Sequence, residues 1–438
     1  MVSQQQNDLS RRSLLGGAIS MGGLAFLGAC GSNGGGSTTS TTVSSLSYAD
    51  WQVPNTVVPD AFTNYTKKSG VKIVAQAVVS FDDYATRLRT VLSGSNPPNI
   101  MRIDDDFVAQ YSAQGALADL NTYIKATKFD SSNLIPALYN FPIQPNGQHA
   151  AWVVGVQPRV IYYNKTMFKA AGVPLPPTTW TDDGWKWADF LAAAKALTKP
   201  DQGIFGCMVL NDLGYEQTWA ANNGTDGVYS KDGSKFTLAD PAGIEAMQWI
   251  ADLTNVHHVQ PPLGMIRQLN SAQGMFTAQK LGMYFATFGE TPFLRKNATA
   301  FEWDVAPVPG EKKQLAEGSL IVYQVPTKAK DQPAAFDALA YLASEEVGDS
   351  IVQAAAFIPV NAKSASKLAP KDGVAPAHIR LFSDSAERHS GKNFTAVTAT
   401  TSVMYQPLMD QVWTGEKTAK EVLGGIRAKV EEALAKKA

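Results

Sequence analysis

Hydrophobic and polar residues alternate along Val71–Val79, and this β-branched run with a period of two predicts a strand. The period then lengthens. Across Ser80–Gly94 the apolar residues Tyr84, Leu88, Val91 and Leu92 recur at helical spacing, with Ser80 and Asp82 near the start and Gly94 at the stop. Pro97 and Pro98 turn the chain into a second short apolar run, Asn99–Ile103, which ends in three consecutive acids, Asp104, Asp105 and Asp106. A strand over Ser45–Asp50 precedes this series, and Gln114–Leu120 caps a helix and leads into Leu120 and Asn121. Further along, Ala151–Val156 and Val160–Tyr163 read as strands flanking Gln157, Pro158 and Arg159. Asn164–Gly172 reads as a short helix closed by glycine, and Trp185–Leu197 as an amphipathic one. Pro241–Val256 carries Ile244, Met247, Ile250, Ala251 and Leu253 on one face. Gly282–Ala286 and Leu320–Tyr323 read as strands, and Pro333–Leu342 and Lys417–Lys436 as helices. Strands alternating with helices predict an α/β fold with parallel strands.

The N-terminal segment has a different character. Arg11 and Arg12 precede an apolar, glycine-rich stretch over residues 14–29 that is short for a membrane span, which needs about 20 apolar residues. Such a pattern is an export signal, and the paired arginines suggest the twin-arginine route. Leu27-Gly28-Ala29-Cys30-Gly31 resembles a bacterial lipobox, which implies diacylation of Cys30 and removal of residues 1–29. Residues 30–44, rich in Gly, Ser and Thr and without charge, read as a lipid anchor with a flexible leash reaching about 20 Å.

The roughly 400 residues after the signal exceed one ordinary core and point to two lobes. A formal net charge of −1 argues against nucleic acid as a partner. With two cysteines in the whole chain there is no disulfide framework, and Cys207, between Phe205 and Met208, reads as a small buried hydrophobe. The adjacent His257 and His258 point in different directions on a helix and have no cysteine or acid cluster beside them. No metal or other cofactor is expected. Nucleophile-elbow, zinc-protease and phosphate-loop patterns are absent.

Five segments in order, GALADLNTYI, IYYNKTMFKAAGVPLPPTTW with WADFLAAAKALT, FTAQKLGMYFATFG, WDVAPVPG, and EGSLIVYQVPTKAKDQPAAFDALAYLASEE, resemble the extracellular solute-binding proteins of ABC importers. The resemblance is to their carbohydrate class (family 1, maltose-binding-protein-like) and covers the chain from about residue 46. It implies a type II, two-lobe periplasmic-binding-protein-like fold whose lobes are joined by three crossover segments and close over ligand. The crossings are expected near Gln157–Arg159, Ala286–Glu290 and Val325–Lys328. Lobe 1 would then comprise 45–157 plus 290–326, and lobe 2 would comprise 158–289 plus 327–438.

A sugar presents hydroxyls and apolar faces, so its site needs acids, amides and flat aromatics. By resemblance, Asp105 and Asp106 stand where relatives hold sugar, although a solvated acidic loop has the same sequence. Trp51 and Asn55 occupy the first ligand loop, with lobe packing as the alternative for Trp51. Relatives often carry more than one Trp in this loop, and this chain has one. Gln157 matches a polar contact at the first crossing or is a hinge residue bonded to backbone. Arg159 either binds an anion or pairs with one of the aspartates. Tyr215 and Trp219 match the second-lobe aromatic region. Phe288 and Glu290, around Gly289, stand where relatives have a Gly-Pro-Trp type sequence. Glu317 and Gly318 match a loop close to ligand, and Tyr405 is either a late aromatic contact or core. The resemblance implies a monomeric receptor, not an enzyme, for a mono- or short oligosaccharide or related polyol. It would be tethered through Cys30 to the extracytoplasmic face of the cell membrane and deliver solute to the importer's membrane subunits. The alternatives are a receptor for a glycerophosphodiester or other polar solute, and a secreted glycoside hydrolase using a pair such as Asp105 with Glu290 or Glu317. Replacing the presumptive anchor, Cys30→Ala, is expected to move the protein from the membrane fraction to the soluble fraction with sugar affinity unchanged; fractionation followed by a binding titration checks this.

Overall fold

The computed structural model describes residues 43–79, 81–211, 214–268, 270–388 and 395–436. The readings of the export signal, Cys30 and most of the leash lie outside these residues.

Nine strands form the frame: β1 Ser45–Ala49, β2 Lys72–Ala75, β3 Ile100–Ile103, β4 Trp152–Asn164, β5 Phe205–Met208, β6 Leu281–Thr287, β7 Trp303–Ala306, β8 Gly318–Gln324 and β9 Ile358–Pro359. Their order is β2-β1-β3-β8-β4-β6-β5, with β7 and β9 also on β4. β1, β2 and β3 run parallel, and β8 lies antiparallel between β3 and β4. β5 and β6 are parallel to each other, and β6 is antiparallel to β4. This is the mixed α/β two-lobe fold that the sequence predicts.

β4 belongs to both halves. Residues 152–158 pair with β8 and residues 155–156 with β9, whereas residues 159–163 pair with β6 and 161–164 with β7. The two short strands expected around Gln157-Pro158-Arg159 are therefore one strand of 13 residues. Pro158 is tolerated because its ladder partner, Gly318, lies at the end of β8, where few bonds remain to be lost.

Each half has its own aromatic core. In the first, Trp152 is almost fully buried with Phe129, Tyr139 and Phe336 edge-on to it, at ring centroids of 5.1, 6.0 and 5.4 Å. In the second, Tyr162 stacks on Tyr284 at 5.3 Å and Trp187 on Trp249 at 4.8 Å. Burial of this kind contributes about 25 cal/mol per Å² of apolar surface. Cys207 is fully buried, as its neighbours suggest, and burial pushes its thiol pKa up.

Two sequence-based expectations change. The strand expected over residues 71–79 stops at Ala75, because its single neighbour β1 runs out of residues to pair with it. The acids after β3 are not a plain loop: Asp104 caps a helix, Asp105–Ala113, by accepting from the Asp106 N–H at 3.1 Å. Acids in a first turn favour that helix by opposing its dipole. Gln114–Leu120 then bridges to Pro326 and leads into the helix Asn121–Thr127.

The lobe boundaries also move. Residues 290–317 stay with the second half, since β7 pairs with β4 beyond Pro158 and Asn222 accepts from the Lys312 and Lys313 N–H groups. The chain returns to the first half at Glu317–Gly318, not at Ala286–Glu290. It remains there well past Val325–Lys328, because Phe336 packs on Trp152 and β9 pairs with residues 155–156 of β4. It reaches the second half again before the helix Arg380–Asp384, whose Phe382 lies against Tyr162. The sequence ranges 290–317 and 327–366 therefore exchange lobes relative to the expectation. Hydrophobic patterning identifies strands but carries no record of which strand each one pairs with.

Gly155 sits at an irregularity of the β4–β8 ladder, where an added Cβ would lie 2.3 Å from the Ile358 carbonyl oxygen and 2.4 Å from the Phe357 ring. Gly155→Ala is expected to lower unfolding stability by about 1–3 kcal/mol, the usual penalty of overpacking, read as a fall in the denaturant midpoint. At the crossing, the buried Arg159 guanidinium is ion-paired with buried Glu317. Glu317→Ala should cost about 3–5 kcal/mol by the same measurement, because it removes the charge partner of a buried cation.

Candidate ligand-binding site between the two halves

Strand direction sets the location. β1 and β3 end at Ala49 and Ile103, and β8 runs against β3, so its first residues lie beside the carboxyl end of β3. The crossing point of β4 lies there too, since Pro158 is opposite Gly318. On the other side, Arg159 pairs with Thr287 at the carboxyl end of β6, and parallel β5 ends nearby. The carboxyl ends of parallel strands from both halves thus converge on residues 157–159. Ligands in open α/β sheets collect at such ends.

The first half supplies two clusters. After β1, the buried Asp50 carboxylate accepts from the Tyr48 hydroxyl and from the Gln52 N–H at 3.0 Å, and faces Arg102 Nη1 at 3.5 Å. Burial pushes the Asp50 carboxyl pKa up against the opposing pull of Arg102. The Arg102 guanidinium lies over the Trp51 ring at 4.3 Å from its centroid, and Tyr84 meets the same ring edge-on at 5.3 Å. Trp51 is thereby fixed but half-exposed, while Asn55 on the next turn is exposed. After β3, Asp105 is buried and its Oδ2 accepts from the Leu320 N–H at 3.4 Å. Asp106 stays half-exposed beside it. The carboxylate oxygens of Asp104, Asp105 and Asp106 lie within 4.8 Å of one another.

At the crossing, Arg159 holds Glu317 and donates to the Ser319 hydroxyl at 3.0 Å. The partner of Arg159 is neither an anion nor one of the aspartates expected from the sequence but Glu317, which the return of the chain at the start of β8 brings opposite it. Gly214 lies directly over this pair, since a Cβ there would be 2.2 Å from a Glu317 oxygen and 2.5 Å from Arg159. Gln157, half-exposed, donates to the Ala356 carbonyl at 3.2 Å, as a hinge residue would. The close neighbours of Gly318 are Val156 and the Gln157 backbone, so the strand ladder itself requires glycine there.

The second half contributes a polar wall. Glu216 is buried and accepts from the Tyr405 hydroxyl at 2.7 Å and from Gln406 at 3.4 Å. Tyr229 shares a hydrogen bond with Thr401 at 2.6 Å. Its phenol pKa is pushed up to about 12, chiefly by burial, with the charges of Glu216 and Asp106 adding to the shift. That shared field places Asp106 of the first half in one electrostatic neighbourhood with Tyr229 and Glu216 of the second. The helices Asp105–Ala113 and Thr398–Trp413, one from each half, pack against each other here.

The predicted residues therefore separate. Trp51, Asn55, Asp106, Gln157, Tyr215 and Glu290 keep solvent-accessible surface. Tyr215 leans edge-on against Trp413 at 5.6 Å, and Glu290 accepts from Gln273 at 3.0 Å. Asp105, Trp219, Phe288, Glu317, Gly318 and Tyr405 are buried. Trp219 meets Phe285 at 4.8 Å, Phe288 lies on Phe382 at 4.2 Å, and Tyr405 packs on Phe236 at 5.0 Å, all within the second half. Sequence reading passed over Asp50, Arg102, Glu216, Tyr229 and Gln406. Glu216 and Gln406 directly follow Tyr215 and Tyr405, so proximity to a candidate was the available signal. Nothing local marked Arg102, which lies inside a strand.

The arrangement offers carboxylate, amide and hydroxyl groups beside aromatic rings, with its arginines already matched to acids. A solute bearing hydroxyls and apolar faces suits such a surface.

Comparison with known proteins agrees with this architecture. Residues 50–349 match the family model described as bacterial extracellular solute-binding protein. A Brucella abortus binding protein is 25% identical over 299 residues, covering 66% of this chain and 68% of that one. Among solved structures, the Listeria monocytogenes ABC substrate-binding protein in complex with cycloalternan superposes with a TM-score of 0.80 at 22% identity, covering 90% of this chain and all (100%) of that one. A Thermotoga lettingae ABC transporter solute-binding protein bound to α-D-tagatose gives 0.75 at 19% identity, with 89% and 99% coverage. The GacH receptor of Streptomyces glaucescens, solved unliganded and with acarbose, gives 0.75 at 17%, with 91% and 100% coverage. The family match spans more than half of the chain, and the chain belongs to the bacterial extracellular solute-binding proteins.

Proposed function

We propose that this protein is an extracytoplasmic receptor that captures a small carbohydrate, a mono- or short oligosaccharide or related polyol, between its two lobes and delivers it to an ABC importer. The observation that supports this reading is that the strand ends of both halves meet at the crossing, and the segments following them carry hydroxyl-binding groups and an aromatic ring, with Trp51 after β1, Asp106 after β3 and Glu216 after β5. The engagement of Arg102 by Asp50 and of Arg159 by Glu317 favours a neutral solute over a glycerophosphodiester, whose charge would have to compete with those pairs. Sugars named with three structural relatives, cycloalternan, tagatose and acarbose, support the same class.

The receptor works by capture and closure. The two halves meet at three crossings, and a solute touching both of them stabilises the closed arrangement by its differential affinity. No bond in the solute changes. The tether through Cys30, placing the receptor as a monomer on the outer face of the cell membrane, raises its effective concentration near the importer.

A thermal-shift screen of monosaccharides, short oligosaccharides, polyols and glycerophosphodiesters tests the reading. A sugar at 100 times its dissociation constant should add about 2.7 kcal/mol of stability and be recovered unchanged. Stabilisation by phosphodiesters alone, or conversion of the sugar to product, would falsify it. Asp106→Ala should weaken the sugar that binds by about 5- to 150-fold, the equivalent of about 1–3 kcal/mol for polar groups left unmatched. Trp51→Ala should weaken it by about tenfold through lost ring contact. Unchanged affinity in both variants, measured by calorimetry, would place the sugar elsewhere.

A further inference from the structure

Two adjoining cavities lie away from the residues described above, around the segment that carries the chain back to the second half for the last time. The first, of about 310 Å³, is walled by the helix Glu345–Ala354 and Lys367–Lys371 of the first half and by Arg295 and Ile379 of the second. The other, of about 660 Å³, lies between Ala298–Trp303 and Pro370–Ala375. Arg295, Pro370 and Lys371 line both.

Arg295 is physically unusual. It is half-buried, and its Nε donates to the Ala375 carbonyl at 2.9 Å. Among the described residues no carboxylate lies against it, and its two Nη groups have no hydrogen-bond partner. Burial draws its pKa down from the ordinary arginine value, opposed by the Tyr162 phenol and by no carboxylate. Its place in the last turn of the helix Glu290–Asn297 offsets part of that cost, since carbonyl dipoles there favour a cation. A desolvated guanidinium normally has a counter-ion, and its planar fork matches an oxyanion.

The surroundings have the same sign. Lys371, which lines both cavities together with Arg295, is exposed and forms no ion pair among the described residues. Lys367 is held by Glu345 and Asp349, and Lys165 lies 3.7 Å from the buried Asp304. Of the acids on the cavity walls, Asp349 is engaged by Lys367 and Glu302 by Lys169, leaving Asp372 to oppose Arg295 and Lys371.

We propose that Arg295 and Lys371 form a binding site for a small, multiply charged oxyanion, of the phosphate or tricarboxylate kind, at the junction of these two cavities. The guanidinium holds two oxygens through its Nη groups, while Nε keeps the fork oriented on Ala375. The ammonium of Lys371 neutralises the remaining charge. Because walls from both halves surround the first cavity, the occupant touches both lobes at a place separate from the sugar-binding residues.

Calorimetric titration of the protein with inorganic phosphate and with citrate, at ionic strength held constant with sodium chloride, tests this. The expected result is saturable binding of one anion per chain, weakened at least tenfold in Arg295→Gln and about threefold in Lys371→Gln. Lys371 is exposed, so its variant folds regardless of any effect at Arg295, and retained sugar binding checks the fold of both. Absence of saturable binding to the unmodified protein, or equal affinity in both variants, overturns the proposal.

Discussion

The architecture depends on one strand passing through two sheets. β4 is hydrogen-bonded to β8 and β9 over its first part and to β6 and β7 over its second, so its register holds both halves at once. Arg159 sits where that allegiance changes, and it binds Glu317 at the point where the chain crosses back. Two buried charges at a crossing are expensive to desolvate and are tolerated when well matched. Here the match includes the Ser319 hydroxyl and the Arg159 N–H to Glu317 carbonyl bond at 2.9 Å. The close approach of Gly214 then brings the loop after β5 onto the same pair. Geometry set by the backbone ladder is thereby passed to the surface proposed to hold solute.

That arrangement would reconcile rigidity with the proposed closure. Most of the aromatic packing lies within one half or the other, with Trp152 in the first and Tyr162 in the second. The crossing itself includes Pro158 and Gly318, which add little side chain to repack. Large rearrangement within either core would cost cavities and lost contacts. Motion confined to a few crossing residues avoids that cost, which is the usual basis of hinge closure. Polar groups that act on each other across the two halves, such as Asp106 and Tyr229, are then the ones whose separation the proposed closure would change.

Much of the fold was legible in the chain. The helices Trp187–Leu197, Pro241–Asn255 and Ala419–Ala435 follow the apolar spacing, and β1, β3, β6 and β8 fall within a few residues of their predicted positions. Local signals sufficed because amphipathic periodicity reflects one buried face, whatever covers it. The helix Asp105–Ala113 was missed although Asp104 caps it and acids fill its first turn, because three adjacent acids also suit a loop. Of the candidate site, the segments were legible and the side-chain roles were less so. Trp219, Phe288 and Tyr405 were chosen as aromatics near ligand loops, and the fold buries each against another ring. Nothing in their immediate sequence separates a ring that faces solvent from one that faces a core.

The amino-acid sequence by itself determined the α/β class, the resemblance to solute-binding proteins with a crossing near Gln157–Arg159, and the burial of Cys207. These follow from periodicity, composition and motif order, which are properties of neighbouring residues. Tertiary structure alone decided which lobe holds residues 290–317 and 327–366, that Arg159 pairs with Glu317 and Arg102 with Asp50, and that Arg295 stands without an acid among the described residues. The physical reason is separation along the chain. Arg159 and Glu317 are 158 residues apart, and long-range strand pairing and charge matching depend on the whole set of registers.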